Sequence, residues 1–142
     1  MKAVPAAALW LGLAGLLPFA GGALAALGLL GDLAGPDFGL RVLSAYGAAI
    51  LAFMGGCLWG FAAKAGRAEW KWLAFSVVPG LWAFSAAFSP APLLSLMLGY
   101  VVLLALDTMF RLERIAPDWW MGLRLPLTAG VLICLGAGAM AG

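Results

Sequence analysis

The chain has no histidine, only two cysteines, and few charges: eight basic and six acidic side chains among 142 residues. Without histidine it lacks the commonest general base and the commonest metal ligand. Cys57 and Cys134 each lie inside an apolar run. They read as small buried hydrophobes rather than as a disulfide or redox pair. No block of basic residues marks a nucleic-acid surface, and the net charge is +2. No two carboxylates stand close together in a pattern suited to acid–base work. The expectation is a non-enzymatic protein with no cofactor and no metal.

Apolar side chains make up 65% of the residues, and mean hydropathy is +1.08. The few charges cluster between long apolar runs. Lipid offers no hydrogen bonds to a bare backbone, so runs of this length must cross as helices. The pattern predicts an all-α integral membrane bundle of five transmembrane helices in one polytopic domain, residues 1–142. The spans are expected at about 3–30, 42–63, 72–88, 93–110 and 125–141.

The first run holds Ala23-Leu24-Ala25, which could pass as a signal-peptidase site. The run is longer than a signal core of roughly 7–15 residues and stays apolar beyond that site. It is therefore expected to remain as a span, kinked at Pro18. Segments rich in Gly, Pro, Asp and Ser punctuate the remainder at 31–39 and 89–92. Pro79 predicts a second kink, near Trp82.

Five crossings put the termini on opposite sides. With the N-terminus cytoplasmic and the C-terminus periplasmic, the inner segments hold Lys2, Lys64, Arg67, Lys71, Arg111, Arg114 and Arg124, and the outer ones only Arg41. That asymmetry is the positive-inside pattern. Trp10, Trp59, Trp70, Trp72, Trp119 and Trp120 fall at or near the inner boundary, as an aromatic belt would.

Two small-residue stripes invite close helix approach. Ser44, Ala48, Ala52, Gly56 and Gly60 recur at steps of four beside Trp59, and Gly130, Cys134, Gly138 and Gly142 repeat the pattern in the last span. Helix packing within the chain, a homo-oligomer seam and a ligand channel all remain open for them.

Asp107 is the acidic residue that dips into a span. Arg111 lies one turn on and shares its face, so the two are expected to pair, with Arg124 as a further partner. The stretch Ile115–Arg124 reads as a break followed by a short interfacial helix. In it Trp119 and Trp120 would lie at headgroup depth, and Arg114 and Arg124 could meet lipid phosphates. An ion-pair anchor, a proton-handling site and a docking surface for a partner or a quinone-type headgroup are the open readings of this region.

Several fragments occur in a particular order: Tyr46-Gly47, Phe53-x-Gly55-Gly56-x-x-Trp59-Gly60, Pro79 with Trp82 and Phe84, Gly99 followed by Asp107, and Pro117-x-Trp119 leading to Leu123-Arg124 and Leu127-Thr128. Together they resemble the bacterial branch of domain-of-unknown-function family 3429, the transmembrane protein 69-like group. The resemblance covers nearly the whole chain. It implies a multi-pass protein of a bacterial inner membrane with no settled activity, and it adds no catalytic residues. The second-span motif of that family often carries a histidine before the tryptophan. Here Cys57 or Leu58 stands in its place, so any chemistry of that histidine is missing.

The leading functional expectation is an accessory, assembly or stabilising component of a larger membrane complex. A small channel or transporter for a solute, ion or lipid is the alternative. Its available polar groups would be Asp107, Arg111, Arg124, Ser44, Ser76 and Tyr100.

Overall fold

The computed structural model describes residues 2–142, and those residues form helices and short connections with no strand. The elements are α1 (Ala6–Ala14), α2 (Leu17–Ala26), α3 (Pro36–Lys64), α4 (Trp70–Ala86), α5 (Pro92–Leu112) and α6 (Trp120–Ala141). Four segments are long and apolar enough to cross a bilayer: Ala6–Ala26, with α1 and α2 taken together, then α3, α5 and α6. Helix α4, with 17 residues, is not among them.

The first run breaks at Gly15-Leu16, ahead of the expected kink position. Pro18 falls in the first turn of α2, where its missing N–H leaves no extra orphan within that helix. The break exposes the Gly15 carbonyl, and the Tyr46 hydroxyl donates to it at 3.0 Å. A neighbouring helix thus satisfies backbone that lipid could not.

The helix of the second expected span, α3, starts six residues before the expected boundary. Pro36 suits a first helical turn and Asp37 favours a helix N-terminus, so the presumed loop residues open α3 instead. The last helix starts five residues early. The separate interfacial helix expected before it does not form: α6 runs unbroken from Trp120 through Pro126. Three connections close with a 6→1 hydrogen bond around a left-handed residue. Gly28 and Gly66 fill that place after α2 and α3, and Arg114, at φ 59°, fills it after α5.

Helix α3 is the centre of the bundle and packs against α2, α4, α5 and α6. Its buried stripe is Gly39, Leu43, Gly47, Leu51, Gly55, Leu58 and Ala62. Glycine and leucine alternate at steps of four from Gly39 to Gly55 and then of three to Leu58, so each leucine fills space beside a point of close approach. Gly39 lies against the α2 backbone at Ala26. A methyl group at Gly55 would stand 2.7 Å from the Ser76 carbonyl oxygen, with Pro79 directly behind. Pro79 is therefore packed against α3, inside a helix that stays continuous from Trp70 to Ala86.

This stripe corrects the expected one. Gly56 and Gly60 face open space, and Trp59 is half exposed toward the surroundings of the bundle. The contact seam lies one residue over, on Gly55. Both faces of α3 carry small residues, and the ridge of Leu43, Leu51 and Leu58 decides which face turns inward. In α6, Gly138 lies against Leu43 and Leu93, while Gly130 meets the Leu16 side chain at the α1–α2 junction.

Polar side chains join helix to helix across this core. The Tyr100 hydroxyl of α5 donates to the Gly47 carbonyl at 2.6 Å. The Trp82 indole of α4 donates to the Ser95 carbonyl at 2.8 Å, and its ring covers Gly99. Trp72, expected in an interfacial belt, is buried against Phe110, with ring centres 5.2 Å apart.

Candidate functional site

Asp107 is fully buried one turn before the end of α5. A carboxylate there is expensive unless paired and hydrogen-bonded. Both of its oxygens are engaged by α6: Trp120 Nε1 donates to Oδ1 at 2.8 Å, and Arg124 Nε donates to Oδ2 at 3.0 Å. Trp120 and Arg124 are four residues apart, so one face of α6 delivers both. Phe61 of α3 meets the Trp120 ring edge-on, with centres 4.7 Å apart. The cluster is shut into an apolar wall contributed by three helices.

This geometry corrects two expectations. Arg111 does not pair with Asp107. It lies one turn nearer the helix end and reaches Asp118 at 3.4 Å, and Lys2 reaches the same carboxylate at 3.7 Å. Asp107 faces inward, where α6 supplies a cation that same-helix spacing does not reveal. Trp120 and Arg124 also turn into the bundle, onto Asp107, rather than outward to lipid headgroups. Both are buried, while Trp119 is half-buried beside Trp120, with ring centres 5.9 Å apart.

The pairing leaves a residue of unmet polarity. Among the described residues, Arg124 Nη2 and Thr128 Oγ1 are the two buried side-chain polar atoms without a hydrogen-bond partner. Arg124 also borders a cavity of about 420 Å³ between the α1–α2 segment, α3 and α6. Sequence reasoning missed this cavity. Its signal was the small face of α1, where Ala8, Gly12 and Gly15 lie opposite the larger side chains of α3. No group of three or more Cys, Asp or Glu side chains able to share a metal ion occurs among the described residues.

Residues 4–140 match the family model described as protein of unknown function (DUF3429). The chain belongs to this family. It is also similar to transmembrane protein 69 of Xenopus tropicalis, with 35% identity over 147 residues, covering 95% of this chain and 54% of that protein. The chain thus spans about half the length of that relative. No solved structure matches it. The fragments that carried the resemblance are mostly contact residues in the fold: Tyr46, Gly47, Gly55, Pro79, Trp82, Gly99, Asp107 and Arg124.

Proposed function

We propose that this DUF3429 protein is a five-span bacterial inner-membrane protein, N-terminus cytoplasmic, acting as a non-enzymatic assembly or stabilising component of a larger membrane complex. The observation that carries the reading is where its buried polar groups are spent. Tyr100, Trp82, Trp120, Asp107 and the Arg124 Nε all bond across helices or to exposed helix carbonyls. Ser76 bonds back to the Leu73 carbonyl within its own helix. A transporter would need such groups free along a path through the bundle. Here they tie helices together.

The fifth crossing rests on α4. At about 1.5 Å per residue it is roughly 26 Å long, slightly under the ~30 Å hydrocarbon core. Basic residues flank it at one end, where Arg67 and Lys71 lie over the Trp72 ring at 5.5 and 4.7 Å. Cysteines introduced at Gly66 should react with an impermeant maleimide only after the inner membrane is opened. Labelling in intact spheroplasts would reverse the orientation.

Purification of the tagged protein at native expression in mild detergent tests the functional reading. The expected result is a stoichiometric complex with other membrane proteins. A lone chain or homo-oligomer that moves a solute across liposome membranes would replace it with the transporter reading.

A further inference from the structure

The cavity beside Arg124 has the make-up of a ligand site. Its volume, about 420 Å³, falls within the range of small-molecule pockets. Its walls are almost wholly apolar and rich in rings: Phe19, Tyr46, Phe53, Trp119 and Trp120 all face it. The mouth opens on the flank of the bundle, between α1 and α3. Leu11 and Phe53, on facing helices at its edge, are exposed on the bundle's outer surface, and no residue of α1 is buried. One charged side chain borders the cavity, that of Arg124, and it is buried with an N–H group still lacking an acceptor.

We propose that this cavity binds a lipid-soluble quinone-type molecule, entering from the bilayer between α1 and α3, with a ring carbonyl accepting a hydrogen bond from Arg124 Nη2. Three features select this chemistry. The unmet group is a donor, so the ligand must present an acceptor. Asp107 already balances the Arg124 charge, so the pocket as a whole is neutral. A phosphate or carboxylate would bring a second anion close to Asp107 without a second cation, whereas a neutral carbonyl brings none. The ringed walls suit a flat headgroup, and the lateral mouth lets an apolar tail remain in lipid.

The small residues of α1 make room for such a ring. A methyl group at Gly12 would meet the Leu127 and Leu123 side chains at 3.0 and 3.1 Å, so α1 already rests on α6 at that point. Ala8, one turn earlier, faces the open part of the cavity. A larger side chain there would occupy ligand space without touching the Asp107–Arg124 pair.

The test is tryptophan quenching by decylubiquinone, with the protein in nanodiscs of phosphatidylcholine. Wild type is expected to show saturable quenching above the linear background from quinone dissolved in the bilayer. Ala8→Phe, which fills the cavity, should weaken binding at least tenfold. The double change Asp107→Asn with Arg124→Gln keeps the charge balance and, once its melting temperature shows it folded, should weaken binding about as much. Linear quenching in wild type would overturn the proposal, as would unchanged affinity in both variants. Displacement of the quinone by phosphatidylglycerol at equal mole fraction would overturn it too, by making the cavity an anionic-lipid site.

Discussion

Asp107→Asn is expected to be the most damaging isosteric change in this protein. The substitution keeps the shape of the side chain and an acceptor oxygen for the Trp120 indole. It removes the charge that balances Arg124, whose side chain is 3% exposed, and sets an amide NH2 donor against the Arg124 Nε–H in place of the Oδ2 acceptor. Breaking a buried pair from one side leaves an uncompensated ion and costs about 3–5 kcal/mol. For a chain of this size that corresponds to a drop in melting temperature on the order of 10 °C. Asp118→Asn is the matched control. Its carboxylate is half exposed and meets Arg111 and Lys2 at the surface, and such pairs contribute about 0–1 kcal/mol. Thermal unfolding in one detergent should separate the two variants clearly. Equal melting temperatures for D107N and D118N would remove Asp107 from the centre of the account.

The second large effect comes from neighbouring glycines with opposite outcomes. Gly55→Leu places a side chain where the Ser76 carbonyl oxygen would lie 2.7 Å from its first carbon. The obstacle is backbone of α4, so it cannot rotate aside, and α3 and α4 must separate. Gly56→Leu and Gly60→Leu point into open space, and the Gly56 side chain would lie in the shallow groove between α3 and α4 rather than against backbone. The expected result is a folding failure or large loss of stability for Gly55→Leu, and near-wild-type stability for the Gly56→Leu/Gly60→Leu double variant. Size-exclusion profiles and melting temperatures decide it. A Gly55→Leu protein as stable as wild type would refute the close approach of α3 and α4, and collapse of the double variant would show that the outer face is itself a packed interface.

These two cases also show which features can be read from sequence. Class and segment order follow from composition, because a chain with long apolar runs between charge clusters has one solution in lipid. Asp107 stood out for the same reason: a carboxylate at that depth needs a partner. Which partner it takes was not legible. Same-helix spacing offers Arg111 at one turn, and only the packing of α6 against α5 brings Arg124 closer. Gly55 and Gly56 are adjacent in a helix with small residues on both faces, so periodicity alone cannot choose the seam. The choice belongs to Pro79 and Ser76 on another helix. Helix starts at Pro36 and Trp120 were obscured because proline and aspartate serve both turns and first helical turns.

The cavity has a similar history. Ala8, Gly12 and Gly15 looked unremarkable in an alanine- and glycine-rich segment. They acquire meaning opposite Ile50, Met54 and Cys57 of α3, where a shortage of side-chain volume on α1 leaves space beside Arg124. The half-satisfied guanidinium then links the structural tie to the open cavity: Nε holds α6 to α5, and Nη2 remains for something else.

The most direct measurement of the central claim, that Asp107 and Arg124 act as one unit tying α5 to α6, is a double-mutant cycle. It compares melting temperatures of wild type, D107N, R124Q and D107N/R124Q. The account predicts that each single change is severe and that the double variant recovers most of the loss, with a coupling of about 2 kcal/mol or more. Losses that simply add would show that the two side chains do not depend on each other, and the tie between α5 and α6 would have to lie elsewhere.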